Sequence, residues 1–86
     1  MNIIAVLAGN KREFDTAVNM EILKRTKGDF EIKDGEAIID NERYIYIANT
    51  ESLRGVNIKR YIIGGKFFDR NDWRAIQEMA ESRIRN

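Results

Sequence analysis

Apolar residues recur along this chain in two rhythms. Ile3-Ile4-Ala5-Val6-Leu7-Ala8 is apolar at every position, the pattern of a strand covered on both faces and so of a central strand. From Lys11 to about Arg25, Phe14, Ala17, Val18 and Ile22 fall at helical spacing with charges opposite them, which predicts an amphipathic helix. Asn10 suits its N-cap, and Glu13 three residues later resembles the acidic partner of a capping box. Lys24, Arg25 and Lys27 suit the negative helix end, with Gly28 as the C-terminal stop.

The rhythm then shortens. Phe30-Glu31-Ile32 and Ala37-Ile38-Ile39 flank Asp34-Gly35, a hairpin signal. Asp40-Asn41-Glu42 predicts a second turn into a strand over Tyr44–Ala48, whose alternation of Tyr and Ile places it beside the centre. Residues 49–55 predict a loop with one helical turn, and Ile58–Ile63 the next strand. Asp69 or Asn71 is the expected cap of a last helix reaching about Arg85, with Trp73, Ile76, Ala80 and Ile84 on its buried stripe.

The order β-α-β-β-β-β-α predicts an α/β domain with a short, mostly parallel sheet, an added hairpin and two helices, with right-handed crossovers between parallel strands. Two helices leave part of such a sheet uncovered, so an apolar face and a homodimer are expected. With 86 residues and neither proline nor repeats, the chain has room for one domain over residues 1–86.

Composition narrows the chemistry. Cysteine and histidine are absent, which removes disulfides, thiolate nucleophiles, the usual zinc sites and imidazole acid–base catalysis. The acids are scattered, so no metal site or cofactor is expected, and no nucleophile–base set points to an enzyme. Fifteen cations against 14 acids give a net charge of +1, so only a local patch could favour nucleic acid. No run approaches the roughly 20 apolar residues of a membrane span, and the start lacks the basic region and cleavage site of a signal peptide. The expectation is a cytoplasmic chain with no membrane partner.

Two strand endings carry the candidate chemistry. The first strand runs into Gly9-Asn10-Lys11-Arg12, and Tyr61-Ile62-Ile63 runs into Gly64-Gly65-Lys66. Glycine, then a cation, then a helical pattern is how strand-to-helix turns look at the carboxyl edge of a parallel sheet, where α/β proteins place ligands. In one reading Gly9, Asn10, Lys11 and Arg12 cradle a phosphate at a helix N-terminus, Gly64, Gly65 and Lys66 admit the ligand, and Arg54 reaches over the edge. In the other, Gly9 turns the chain, Asn10 caps and the cations are solvated. The double glycine then permits a bend, and Leu53 plugs the core while Arg54 pairs with Glu51. The first loop is shorter than a P-loop and lacks its hydroxyl, and no Walker B acid follows Ile63, so hydrolysis is not expected. Phe67, Phe68 and Trp73, near Lys66, Arg70 and Arg74, suit either base stacking or the core. The mixed charges of the last helix suit a solvated face.

Ala8-Gly9-Asn10, Phe14, Leu53-Arg54-Gly55, Ile63-Gly64-Gly65 and the terminal helix around Trp73 and Arg83 together resemble small proteins of tailed bacteriophages with a cut-down Rossmann-like or P-loop-like core. The resemblance spans nearly the whole chain. It implies a bacteriophage origin and a host-cell cytoplasm, and carries no activity with it. A further likeness runs to the core of helicases and packaging terminases, where Leu-Arg-Gly precedes an acid-bearing strand; this chain departs from it at both nucleotide-binding motifs. Two functions follow as expectations. One is a non-catalytic accessory protein that binds a nucleotide or nucleic-acid phosphate at the carboxyl edge. The other is a protein-interaction factor of a bacteriophage, such as an inhibitor of a host enzyme or a defence component, acting through an exposed sheet face or the hairpin.

Overall fold

A computed structural model describes residues 1–25 and 30–84. Strand β1 (Asn2–Ala8) leads into helix α1 (Lys11–Lys24), then strands β2 (Phe30–Lys33), β3 (Glu36–Ile39), β4 (Glu42–Tyr46) and β5 (Arg60–Gly64), and helix α2 (Trp73–Ser82). Short 3₁₀ turns at Thr50–Leu53 and Phe67–Asp69 flank β5. The sheet order is β2-β3-β4-β1-β5. The β1–β4 and β1–β5 pairings are parallel, and β2–β3 and β3–β4 are antiparallel. The sheet is therefore mixed rather than mostly parallel as expected. Two two-residue turns let β2 and β3 fold back on β4, which contributes as many antiparallel pairings as the crossovers contribute parallel ones.

Strand β1, apolar from Ile3 to Ala8, lies between β4 and β5 and is buried from Ile4 to Ala8. Its alternate side chains feed two core clusters. Ile4, Val6 and Ala8 meet Phe14 and Val18 of α1, together with Ala37, Ile39 and Tyr44. Ala5 and Leu7 meet Ile47, Leu53, Ile58, Phe67 and, from α2, Ile76 and Ala80. One helix thus serves each face. Large apolar side chains stay exposed at the hairpin edge, where all four residues of β2 are exposed, and also at Met20 and Leu23 of α1, at Ile63 of β5 and at Phe68.

The turns follow local chemistry. Gly35 takes φ 74°, and between β3 and β4 both Asp40 (φ 51°) and Asn41 (φ 65°) are left-handed. Left-handed backbone at both central positions matches the right-handed twist of a hairpin, and Asp and Asn tolerate it. Two expected boundaries move. Neither Asp69 nor Asn71 caps α2; Asp72 occupies that position and makes no side-chain cap bond, because its carboxylate is taken by Arg70. The helix stops at Ser82, and Ile84 forms a parallel bridge with Ile58 instead of a last turn. Lys27, Gly28 and Arg85 lie outside the described residues. Among the described residues no helix is long and apolar enough to cross a membrane.

Candidate functional site

The carboxyl ends of β1 and β5 converge as their parallel pairing requires, with Ala8 beside Gly64. The Asn10 side chain accepts the Glu13 N–H (2.9 Å) and caps α1. The Glu13 carboxylate does not close a capping box onto Asn10. It crosses to the other turn and accepts the Lys66 N–H at 2.9 Å. Both glycine turns make room for it. A Cβ at Gly9 would lie 2.2 Å from Glu13 Oε1, and one at Gly65, itself at φ 58°, would lie 2.2 Å from Glu13 Cδ. Gly9, Gly65 and the Lys66 N–H therefore lie around an anionic group that belongs to the chain itself, while Asn10 serves as the helix cap.

The other candidate residues point elsewhere. Gly64 lets α1 approach β5, since a Cβ there would be 3.2 Å from the Ala17 Cβ. Lys11 pairs with Asp34 of the hairpin turn. Arg12 is exposed on the first turn of α1, where its carbonyl accepts the Thr16 hydroxyl. Arg54 bonds back to Glu51 at 3.2 Å, above a fully buried Leu53 and before Gly55 at φ 70°, the arrangement of the structural reading. Of the aromatics, Phe67 is buried, whereas Phe68 meets Trp73 edge-on at 5.1 Å and Arg74 lies over the Trp73 ring.

Two clusters escape sequence reasoning. Arg70 is no surface cation: its guanidinium donates to the carbonyls of Ala8 (3.0 Å), Ile47 (3.1 Å) and Ala48, while Asp72 grips it from behind. It satisfies the carbonyls left open where β1 and β4 end, and so occupies the middle of the carboxyl edge. The only signal was an Arg-x-Asp placed at a helix entry. At the opposite end of the sheet, Arg25 donates to Glu42 (2.8 Å) and to the Tyr44 hydroxyl (2.7 Å). Lys59 reaches the second Glu42 oxygen, and Arg60 reaches the same hydroxyl. The Arg25 bond, with Lys59 behind it, holds the Glu42 carboxyl below its usual range; the same Arg25–Glu42 bond raises Arg25, and burial raises the Tyr44 phenol. Partners in such a cluster saturate one another, which suits a structural tie more than acid–base chemistry. Among the described residues no group of acids is arranged to hold a metal ion.

No protein-family model, curated protein or solved structure matches this chain. Its surface is then the guide. A groove of about 490 Å³ runs between α1 and β5, floored by Ala17, Met20, Ile62 and Ile63. A smaller one, about 310 Å³, lies between α1 and the hairpin and is lined by Asp15, Val18, Asn19, Ile32, Lys33 and Asp34. Beside the second groove, β2 leaves Phe30 55% and Ile32 48% exposed.

Proposed function

We propose that this chain is a non-catalytic protein-binding module that works through the outer edge of β2. The observation that carries the reading is a strand exposed at every residue, with two large apolar side chains on one face. Phe30 and Ile32 stand opposite Ile39 and Ala37, so they extend the apolar face under α1 beyond the last covered strand. Natural sheets protect such an edge or use it to take on another strand, with backbone bonds giving affinity and alternate side chains giving specificity. The bacteriophage resemblance brings host proteins among the candidate partners.

Site-specific photo-crosslinking in cells tests this. A benzoyl-phenylalanine in place of Ile32 is expected to give protein adducts, and the same probe in place of Lys66 is expected to give none. Adducts at position 66 with none at position 32 would overturn the reading.

A nucleotide or nucleic-acid phosphate at the carboxyl edge is the second reading. In its favour is the cradle of Gly9, Gly65 and the Lys66 N–H, which accommodates one anionic group. A ligand would have to displace the Glu13 carboxylate, whereas no described strand occupies the outer edge of β2.

A further inference from the structure

The antiparallel ladder fixes which way each backbone group of the hairpin points. Gly35 C=O accepts the Tyr46 N–H at 3.0 Å, so the odd-numbered residues of β3 bond toward β4 and the even-numbered ones toward β2. Lys33 and Glu31 stand opposite Glu36 and Ile38 and therefore bond inward. Phe30 and Ile32 turn their N–H and C=O outward, where no described strand meets them.

The side chains of this edge are self-complementary. Glu31 and Lys33 flank Ile32 symmetrically and lie on the face opposite to it. They face each other at 3.7 Å, each 61% exposed. Edge strands are usually guarded by unbalanced charge; here the two charges cancel and guard nothing. Two-fold symmetry brings a strand against its own copy antiparallel, with directly opposite residues on one face. A centre on Glu31 or Lys33 would set that charge directly against its own copy. A centre between two residues would set Glu31 against Ile32 and mix the faces. A centre on Ile32 avoids both faults: each Ile32 exchanges its N–H and C=O with the other, and Glu31 of each copy stands opposite Lys33 of the other. The same register puts Phe30 of one copy opposite Asp34 of the other, beside the groove lined by Val18, Asn19 and Ile32. The β5 edge offers no such match. Centred on Ile62, it would oppose Tyr61 to Ile63 and Arg60 to Gly64, and the Tyr61 hydroxyl is already bonded to Glu81 and Gln77.

From this complementarity we infer that the partner of the β2 edge is a second copy of this chain. The two β2 strands pair antiparallel about Ile32 and join two five-stranded sheets into one. This rests on the reading of β2 as the binding edge.

Sedimentation velocity of the purified chain and its charge variants tests the pairing. Glu31→Lys and Lys33→Glu each turn two attractive cross-strand pairs into repulsive ones, and each alone is expected to weaken self-association about tenfold. An equimolar mixture of the two variants is expected to recover association, as is the double exchange Glu31→Lys/Lys33→Glu. Both substituted positions are exposed strand sites, so circular dichroism is expected to stay unchanged. A wild-type chain that sediments as a monomer throughout, or variants that fail to rescue one another, would overturn the inference. The adduct mass from the probe at Ile32 separates the two levels. Twice the chain mass supports the dimer; another mass overturns the dimer but keeps the binding edge; no adduct overturns both.

Discussion

Glu13 and Glu42 are both carboxylates with designated partners, and their settings decide different things. Glu13 satisfies a backbone N–H at the carboxyl edge, so the position where α/β proteins often receive an anion is filled from within. Glu42 binds Arg25 and Lys59 and ties the end of α1 to β4, and it carries a pH signature. Its pKa is lowered on folding, so its contribution is present above the unfolded value of about 4.3 and is lost as pH falls through the folded value. Glu42→Gln is expected to cost about 1–2 kcal/mol at pH 7, the scale of a hydrogen bond to a charged group. Urea unfolding at pH 7 and pH 3 checks this: the gap between wild type and variant should narrow in acid. An equal gap at both pH values would assign the loss to packing.

At the scale of elements, Arg70 joins the entry of α2 to the ends of β1 and β4. Removing the guanidinium leaves the carbonyls of Ala8, Ile47 and Ala48 short of donors. Arg70→Met is expected to destabilise the fold by about 3 kcal/mol, with Arg70→Lys recovering only part, because an ammonium lacks the planar fork. Thermal unfolding of the two variants measures both. Full stability in Arg70→Met would show that water satisfies those carbonyls.

This tie also marks where sequence reading stopped. The elements were legible because each has its own local signal: the unbroken apolar run of β1, the helical spacing of Phe14 and Val18, and the Asp34-Gly35 turn. The balance of parallel and antiparallel pairing depends on which neighbours the hairpin finds, and no single run encodes that. Glycines at both strand ends were legible as a close approach, but not what approaches. Whether Glu13 turns toward Asn10 or toward Lys66 depends on a residue 53 positions away. Arg70 and Arg25 read as ordinary surface cations because the carbonyls and the carboxylate that hold them come from distant strands.

For the whole molecule, both faces of the central strands are covered and both glycine turns are engaged; what stays open is the rim of the sheet and the apolar groove between α1 and β5. The two rims differ. The β5 rim carries Tyr61 tied to α2 and a partly exposed Ile63, while the β2 rim carries both Phe30 and Ile32 exposed beside a cancelled charge pair. A chain of this size has a thin stability margin, since small domains bury a modest share of their surface. Pairing at the β2 rim would bury apolar area that α1 and α2 do not reach, and would remove the free edge.

The most direct measurement is a residue-resolved ¹H–¹⁵N spectrum of the labelled chain. It would be recorded over a range of its own concentration, and again with nucleotides and short single- and double-stranded DNA. Pairing at the β2 edge predicts that the amides of 30–33 shift with protein concentration, that Ile32 gains protection from exchange, and that Gly9–Arg12, Gly65 and Lys66 stay silent to every nucleotide and DNA. Shifts at Gly9–Arg12, Gly65 and Lys66 on adding a nucleotide, with 30–33 indifferent to concentration, would contradict it and return the carboxyl edge to the role of binding site.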